Sequence, residues 1–587
     1  MEQQKDGKSF DLQLLLRILR LGFPYRRLFI LSAVLAVVIA PVSSIRPYLI
    51  QRMVDLNILT GDIDGMVFMT IILFATLLAD VLLRYVFIYS TNFLGQSVIR
   101  DLRNRVFRQI MAMDIRYFDK TAIGTSTTRT ISDIETINSV FSQGVITIIA
   151  DMLGLIAVIA IMFSSSWQLA LICLSTMPLM VIASYIFKEK VKAAFQKVRT
   201  QIARMNAFLQ ERISGMRIVQ IFNAEQKESD KFKIINKEYT KANIDSIFHY
   251  AVFFPAVEII SAISLGLMVW WGAGSVLDGS VTMGALIAFP VYLTMLFRPI
   301  RFMADKFNTL QMGMVAAERV FQILDKPIES LQDGDVKATK LKGKICFDNV
   351  WFAYDDNNYV LKDLSFQMEA GKTLAIVGST GSGKSTIINI LNRFYEYEKG
   401  TIKIDDIELH QFEIASLRKR IVMVLQDVFL FSGSILDNIR LNDPSVSDEQ
   451  VIKAAELIRA NEFIEKLPGR YQFMVSERGS NLSMGQRQLI SFVRALIFDP
   501  DILILDEATS SIDSESESLI QYAIEKLIKK RSSIIIAHRL STIRHADYIM
   551  VLDKGRMMEW GTHDELVLKP DGKYRELYEM QFVKETV

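Results

Sequence analysis

Apolar residues are concentrated in the first half of the chain, in blocks that are long enough to cross a lipid bilayer. A membrane-spanning helix needs about 20 predominantly apolar residues. The windows that meet this length lie at residues 28–49, 66–91, 140–163, 168–187, 252–275 and 283–303. We therefore predict six transmembrane helices, which place both chain termini on the same side of the membrane.

The long connections after the second and fourth windows keep apolar residues at helical spacing for many turns. Their segments are SVIRDLRNRVFRQIMAMDIRYFD and AAFQKVRTQIARMNAFLQERISGMRIVQIF. We expect the spans to continue as helices well beyond the membrane and to break near IRYFDKTAIGT and NAEQKESDKF. These two tips are candidates for docking onto the second half of the chain.

Lys and Arg cluster in the N-terminal tail and in the two long connections, whereas the other three connections hold almost none, Arg52 being the exception. Positively charged loops stay in the cytoplasm, so we expect both termini to be cytoplasmic. A cleaved signal peptide over residues 26–45 is disfavoured because five more spans follow. The segment FDLQLLLRILRLGFPYRR is amphipathic and is expected to lie along the inner leaflet, the alternative being a plain extension of the first span.

After residue 340 the pattern changes to short β-rich runs, turns and helices, which is typical of a soluble α/β domain. Within KTLAIVGSTGSGKSTIINIL, the loop from Gly378 to Ser385 fits G-x-x-x-x-G-K-[ST] between a strand and a helix. Backbone N–H groups of such a loop, together with the helix N-terminus, surround a phosphate chain. Lys384 is expected to reach the β- and γ-phosphates, and Ser385 to hold Mg²⁺. The candidate nucleotide-binding residues here are Gly378, Ser379, Thr380, Gly381, Ser382, Gly383, Lys384, Ser385 and Thr386.

Two further apolar runs end in polar residues. The run ILILDE predicts a buried strand with Asp506 and Glu507 at its carboxyl end, where ligands bind in open parallel sheets. Asp506 suits the Mg²⁺ site, and Glu507 suits the base that positions an attacking water. The run RSSIIIAH ends in His538 in the same way.

Composition narrows the function further. The chain has 587 residues, a net charge of +2 and 50% hydrophobic residues, so bulk charge gives no argument for nucleic acid binding. The two cysteines, Cys173 and Cys346, lie far apart without CxxC partners, which disfavours a disulfide framework or a zinc site.

The order of the motifs is more specific than any one of them. The P-loop is followed by Gln426 in MVLQDVFLFSGSI, by NLSMGQRQ, by ILILDE, by SSID and by His538. This series resembles the ATP-binding-cassette (ABC) ATPases, and with six preceding spans the whole chain is similar to an exporter-type ABC half-transporter. The family's signature, LSGGQ, stands here as LSMGQ with Met484 in place of the first Gly. The resemblance implies that this position tolerates larger residues.

The resemblance also implies roles for single residues. Tyr354 falls where an aromatic ring stacks on adenine, although a strand-packing role fits its sequence equally. The catalytic groups are Lys384, Gln426, Glu507 and His538, and the residues that hold Mg²⁺ are Ser385, Gln426 and Asp506. A second cassette contributes in trans the signature residues Ser483, Met484, Gly485 and Gln486, together with Asp513 of SSID. No essential acid or histidine is replaced, so two copies of this chain can assemble complete sites.

We therefore predict an α-helical membrane domain of six transmembrane helices with long cytoplasmic extensions, followed by an α/β P-loop nucleotide-binding domain. The expected boundaries are 1–325 for the membrane domain, 326–340 for a linker and 341–587 for the nucleotide-binding domain. The cofactors are ATP and Mg²⁺, the partner is a second half-transporter with a homodimer favoured over a heterodimer, and the location is a bacterial inner membrane. The predicted function is ATP-driven export by alternating access.

Other functions fit less well. A soluble ABC ATPase is disfavoured by the six spans, an importer by the fusion of both domains, and a peptidase-containing exporter by the short segment before the first span. An ATP-gated channel and an exporter of a specific peptide or lipid stay open as alternatives.

Amphipathic small molecules or lipids are the expected cargo. Ionisable residues within or near the spans are the best pointers to it, because charge at membrane depth is costly. They are Asp80, Arg84, Asp151, Glu258, Arg298 and Arg301. Asp80 and Arg84 are one helical turn apart, so mutual neutralisation is an equally good explanation for them.

Overall fold

The computed structural model describes residues 11–328, 333–355, 358–506, 514–536 and 543–582. It consists of two compact units. The first comprises Met1–Ala112 and Thr121–Pro327, and the second comprises Met113–Lys120 and Ile328–Val587. The short segment Met113–Lys120 therefore belongs to the second unit although it lies within the first half of the chain.

Helices make up the first unit wherever it is described. In chain order they are α1 Leu12–Arg20, α2 Arg26–Ser44, α3 Arg46–Met53, α4 Ile63–Met111, α6 Ile123–Thr128, α7 Ile134–Ser139, α8 Val145–Ser165, α9 Trp167–Ser175, α10 Met177–Ser214, α11 Met216–Ile221, α12 Glu225–Leu277 and α13 Met283–Leu324, while α5, Ile115–Lys120, lies in the second unit. Short π-helical turns at Val54–Ile58, Arg129–Asp133 and Val140–Gly144 join some of them.

Six helical stretches in the described residues are long and apolar enough to cross a membrane, which confirms the predicted number. They are Phe23–Ile58, Ile63–Met111, Ile123–Ser165, Trp167–Ser214, Glu225–Leu277 and Met283–Leu324. Helix α4 alone has 49 residues and α12 has 53. At about 1.5 Å per residue each is more than twice the length that a hydrocarbon core of about 30 Å requires. The prediction that the spans continue as helices is confirmed.

The second helical tip lies where the sequence analysis expected it, near NAEQKESDKF. Helix α12 begins at Glu225, so the break falls at the start of that segment and the rest of it forms the first turns of α12. Glu225 and Glu228 lie in the first turn, where carboxylates interact favourably with the helix dipole. The chain breaks at Gly215 and again around Asn223, the first residue of this segment, whose φ is 48°.

The N-terminal amphipathic segment forms α1. Asp11 caps this helix by accepting hydrogen bonds from the backbone N–H groups of Gln13 and Leu14, each at 3.0 Å. Leu15 and Ile18 are buried, whereas Leu12 is exposed on the single chain. That it lies along the inner leaflet stays a prediction.

The second unit is built from short strands and helices. The strands are β1 Ile345–Ala353, β2 Tyr359–Met368, β3 Thr373–Val377, β4 Lys399–Ile404, β5 Ile407–Glu408, β6 Ile421–Val424, β7 Gly433–Ser434, β8 Met474–Val475, β9 Ile502–Asp506, β10 Ser532–Ile536, β11 Tyr548–Asp553 and β12 Arg556–Gly561. The helices that follow α5 in this unit are α14 Lys384–Leu391, α15 Ile414–Arg420, α16 Ile435–Arg440, α17 Asp448–Leu457, α18 Asn461–Ile464, α19 Met484–Ile497, α20 Ser514–Ile528, α21 His563–Val567 and α22 Lys573–Phe582.

One sheet positions the site. Its order is β12-β11-β3-β10-β9-β6, and all neighbours in it are parallel except the antiparallel pair β11 and β12. Alternate residues of its central strands pack into separate cores on the two faces: Ala375 and Leu505 lie in one, Ile376 and Ile504 in the other. Burial on both faces explains why these strands are continuous apolar runs. A second, antiparallel sheet has the order β2-β1-β4-β5.

Candidate functional site

The P-loop follows β3, and its glycines are needed for two separate reasons. Gly378, Gly381 and Gly383 have φ values of 154°, 81° and 107°, in the region that favours glycine. A Cβ on Gly378 would also lie 2.1 Å from the carbonyl oxygen of Leu552, and one on Gly383 would lie 2.9 Å from a methyl group of Leu361. The backbone conformation therefore disfavours a side chain at all three positions, and close packing also excludes one at Gly378 and Gly383.

The Lys384 ammonium is held inside this loop. Its Nζ donates hydrogen bonds to the carbonyl oxygens of Gly378 at 2.8 Å and Ser379 at 2.9 Å. Burial lowers the pKa of Lys384 from its ordinary value, and the nearby Asp506 carboxylate partly offsets this. A cation that has lost solvent gains strongly from an anionic ligand, because the ligand restores the charge interaction that water would give.

Ser382 and the start of α14 also fit an anion. The Ser382 hydroxyl is buried, and it has no hydrogen-bond partner among the described residues. Gly383 begins α14 in a left-handed conformation without a side-chain cap. The first backbone N–H groups of a helix have no partner within the helix, so an uncapped start offers them to a ligand. The buried hydroxyl, the helix start and Lys384 together suit the phosphates of a nucleotide.

Three predicted ligands of Mg²⁺ come from separate elements. Ser385 is exposed in the first turn of α14, Asp506 is the half-buried last residue of β9, and Gln426 is exposed after β6. Val424 of β6 pairs with Leu505 of β9, so Gln426 and Asp506 lie at the same carboxyl edge of the sheet. A hydroxyl, an amide oxygen and a carboxylate are the kind of donors that Mg²⁺ prefers, so these residues fit the ion.

Tyr354 lies beside the P-loop helix. Its hydroxyl donates to the Thr386 hydroxyl at 3.2 Å and accepts from Asn389 Nδ2 at 3.3 Å. The ring is half-buried and meets Phe352 and Tyr395 edge to face. The two hydrogen bonds hold the Tyr354 hydroxyl next to α14. This position is compatible with stacking on adenine and with packing alone, so the adenine contact stays a prediction.

The signature begins helix α19. The Ser483 hydroxyl accepts a hydrogen bond from the Gln486 N–H at 3.2 Å, and the Ser483 N–H donates to Gln486 Oε1 at 3.0 Å. This reciprocal pair is a capping box, so two residues of the motif define where the helix starts. Met484, half-buried, is the first residue of the helix, and Gly485 is buried. The methionine thus occupies an ordinary helical position and leaves the cap intact.

Comparisons with known proteins agree with this geometry. The family description "ABC transporter transmembrane region" matches residues 29–300, and "ABC transporter" matches residues 361–510. An ABC transporter ATP-binding protein of Bacillus subtilis, YknV, is 40% identical over 98% of this chain and 96% of its own length. An ATP-dependent lipid A-core flippase of Syntrophus aciditrophicus is 33% identical over 97% of this chain and 95% of its own. A probable multidrug resistance ABC transporter ATP-binding/permease protein of Bacillus subtilis, YheH, is 36% identical over 89% of this chain and 77% of its own length.

The chain belongs to the ABC transporter family.

Membership confirms the predicted exporter-type half-transporter and the predicted fold class. The protein is a multi-pass integral membrane protein that binds ATP and couples its hydrolysis to transport. One membrane domain and one ATPase domain per chain also imply dimerisation of this ABC transporter.

Several predicted site residues of this ABC transporter cannot be placed. Glu507, Asp513 and His538 lie outside the described residues, and their roles stay predictions from the sequence. The strands before Glu507 and His538 are described: Asp506 of β9 pairs with Ile536 of β10, and Ile536 also pairs with Ile376 of β3. Three strand ends therefore meet at the edge that carries the P-loop.

Sequence reasoning missed one aromatic residue at this site. Tyr395, in RFYEYEKG, is buried, and its ring lies 4.9 Å from the ring of Tyr354. Its hydroxyl donates to Asp119 of α5. The sequence did mark IRYFDKTAIGT, which includes α5, as a docking tip, and α5 is indeed part of the nucleotide-binding unit. Nothing local to Tyr395 indicated its partner, which lies 276 residues away.

The intramembrane charges are mostly paired. Asp80 is 4% exposed and accepts hydrogen bonds at 3.1 Å from Arg84 and also from Arg46 of α3. This supports mutual neutralisation, with a third residue that the sequence did not indicate. Asp151 of α8 accepts from Lys306 of α13. Of the other predicted residues, Glu258 and Arg298 are exposed on the single chain, and the Arg301 side chain lies outside the described side chains.

Proposed function

We propose that two copies of this chain form an ATP-driven exporter of amphipathic small molecules or lipids that works by alternating access in a bacterial plasma membrane. The observation that supports this most is that one chain carries both a P-loop with a buried lysine and a signature helix with an intact serine cap. Relatives named as a lipid A-core flippase and a probable multidrug resistance transporter support an amphipathic cargo.

In this proposal the loop from Gly378 to Ser385 holds the phosphates of ATP through its backbone N–H groups and the Lys384 ammonium. Ser385, Gln426 and Asp506 would hold Mg²⁺. When bound, the ion would supply positive charge that offsets the negative charge of the phosphates. Glu507, which follows Asp506, orients the attacking water and takes its proton.

Each site is completed by the other copy. The start of α19, with Ser483 and Gly485, faces the terminal phosphate held by the other copy's P-loop, as the family resemblance implies. A helix start that carries a short hydroxyl and a buried glycine allows such a close approach. ATP then joins the two cassettes, and hydrolysis separates them, which moves the long helices and switches the side from which the cargo site is reached.

The homodimer is tested by expressing this chain alone, reconstituting it in lipid nanodiscs and measuring its mass and ATPase activity. We expect the mass of two chains and robust hydrolysis. A monomer with negligible ATPase activity that is rescued only by a related second chain would make this chain one half of a mixed pair and would contradict the proposal.

The role of Glu507 is tested with Glu507→Gln. The amide keeps the size of the side chain but cannot accept the proton, so we expect ATP binding to persist while turnover falls by about a hundredfold or more. Closed cassette dimers should accumulate, and crosslinking or cryo-electron microscopy with ATP would detect them. Turnover near that of the wild type would remove Glu507 from this role.

The cargo is tested by a screen for compounds that stimulate ATPase activity in nanodiscs, followed by transport into sealed inside-out vesicles. We expect stimulation and ATP-dependent uptake by amphipathic molecules or lipids and no response to hydrophilic solutes. Protease cleavage of the nucleotide-binding domain in the same inside-out vesicles, and its protection in intact cells, would support the cytoplasmic orientation.

A further inference from the structure

Helix α5 contacts the nucleotide-binding domain next to the predicted adenine site. The Tyr395 hydroxyl donates a hydrogen bond to the Asp119 carboxylate, and the Arg116 guanidinium lies 5.8 Å from the centre of the Tyr395 ring. Lys120 pairs with Asp355, the residue after Tyr354, at 3.1 Å. Two residues in contact with α5 are therefore direct neighbours of Tyr354, one through space and one along the chain.

Tyr395 is the better placed of these two to act on Tyr354. It is 6% exposed, and its ring meets the Tyr354 ring edge to face, with centres 4.9 Å apart and an interplanar angle of 88°. Aromatic pairs of this geometry are attractive and orientation-dependent, so the Tyr395 ring restricts how the Tyr354 ring can turn. The Lys120–Asp355 pair is instead exposed on both sides, and exposed ion pairs contribute little.

Tyr354 is held at its other end by the P-loop helix, through Thr386 and Asn389. The ring therefore lies between two supports, α14 on the hydroxyl side and Tyr395 on the ring side. Only the second support depends on α5. Because α4 ends at Met111 and α5 begins at Ile115, α5 is tied closely along the chain to the second membrane span.

We propose that the Asp119–Tyr395 hydrogen bond makes Tyr395 a positioning residue for Tyr354, so that the seating of α5 sets the affinity of the site for the base of ATP. The Asp119 carboxylate fixes the Tyr395 ring, and the Tyr395 ring fixes the orientation of the Tyr354 ring. The inference rests on the proposed adenine contact of Tyr354. It adds that the strength of this contact depends on the position of α5, and that α5 affects binding of the base rather than binding of the phosphates.

The experiment uses the full-length protein in nanodiscs with Mg²⁺ and measures the dissociation constants of two ligands by calorimetry. The first is the non-hydrolysable ATP analogue AMP-PNP, which carries the base. The second is inorganic tripolyphosphate, which lacks it. Asp119→Ala and Tyr395→Phe each remove one partner of the hydrogen bond, and Tyr395→Phe keeps the ring.

We expect each variant to raise the dissociation constant of AMP-PNP by about three- to tenfold, the scale of one ordinary hydrogen bond, because the effect reaches the base only through the Tyr354 ring. The constant for tripolyphosphate should change by less than about twofold, because the P-loop contacts are untouched. The double variant should match the single ones, since all three lack the same bond. ATPase assays should show a higher KM for ATP at an unchanged kcat.

Two further variants separate the possible failures. Lys120→Ala removes the exposed contact of the same helix and should leave both constants unchanged. Tyr354→Ala tests the adenine contact itself and should weaken binding of AMP-PNP alone.

If Tyr354→Ala weakens binding of AMP-PNP but Asp119→Ala and Tyr395→Phe do not, the positioning role is wrong and the proposed adenine contact stands. Equal weakening of both ligands would reduce the bond to a general structural role and overturn the inference. An unchanged constant in Tyr354→Ala would remove the adenine contact and the inference with it.

Discussion

Gly383 is the N-cap of helix α14 and offers no side-chain cap, whereas Ser483 is the N-cap of α19 and forms a reciprocal capping box. Both helix starts are proposed to face the phosphates of ATP, α14 in its own chain and α19 in the second copy. The first leaves its backbone donors to the ligand and relies on three glycines and a lysine. In α19, the backbone N–H groups of Ser483 and Gln486 already have hydrogen-bond acceptors within the capping box.

The α14 start is thus suited to binding phosphate within its own chain, and the α19 start is suited to contacting a phosphate that another chain already holds. The partly desolvated Lys384 ammonium donates to two backbone carbonyl oxygens of its own loop, so we expect this loop to hold phosphate without help from the second copy. At the α19 start, the Ser483 hydroxyl already accepts a hydrogen bond from the Gln486 N–H, so the helix start needs no ligand to form. We therefore expect it to contact phosphate only after ATP has brought the two copies together. Changes at the α14 start should weaken ATP binding, and changes at the α19 start should spare binding but impair hydrolysis.

The largest effect is expected from Lys384→Ala, which removes the cation of the binding start. We expect the ATPase rate to fall by about a thousandfold and ATP binding to weaken, because a preorganised charge at the phosphates is lost. Phosphate release from protein in nanodiscs measures this. Lys372→Ala is the control, since Lys372 pairs with Asp547 at the surface, and its rate should stay unchanged. Residual activity above one tenth of the wild type in Lys384→Ala would contradict the role of the α14 start in binding phosphate.

A smaller but still severe loss is expected from Gly485→Asp in α19. A carboxylate there would add bulk at a buried position and repel phosphate, so we expect hydrolysis to fall by about a hundredfold. Binding of AMP-PNP should stay within about twofold, because the P-loop is untouched. Ser480→Asp places the same charge on the exposed turn before the helix and should leave the rate unchanged. If Gly485→Asp turned over ATP normally, α19 would not face phosphate.

An intermediate effect is expected from Ser483→Ala. We expect about a tenfold lower ATPase rate from the lost phosphate contact, and a loss of about 1 kcal/mol in stability from the lost cap. Rate assays and thermal melts measure the two separately. Ser447→Ala is a matched control, because Ser447 and Gln450 form the same capping box on α17 outside the signature. It should show the stability loss alone, and an equal rate loss in both variants would assign Ser483 a purely structural role.

The smallest effect is expected from Met484→Gly, which restores the family's usual residue. The ATPase rate should change by less than about twofold, because Ser483 still caps the helix. Stability should fall by about 0.5–1 kcal/mol, because glycine is a poor helix former and the half-buried side chain is lost. A melt and a rate measurement on the same sample suffice. A large gain or loss of rate would mean that Met484 contributes to the site directly.

Features that depend on local pattern could be predicted from the order of the residues alone. Apolar blocks of about 20 residues have one stable arrangement in a bilayer, so the six spans and their helical extensions followed directly. The P-loop was equally readable, because the φ values of Gly378 and Gly383 and their close neighbours leave few other residues possible. The capping box was implicit in the spacing of Ser483 and Gln486.

Contacts between residues that are distant in the chain became known from the folded structure. The association of α5 with the soluble unit, the bond between Asp119 and Tyr395, and the addition of Arg46 to the Asp80–Arg84 pair join residues far apart in the chain. Local periodicity places a side chain on one face of its own helix or strand but carries no information about the element that will cover it. These contacts arise when whole elements pack to bury their apolar faces, and that packing selects partners over hundreds of residues.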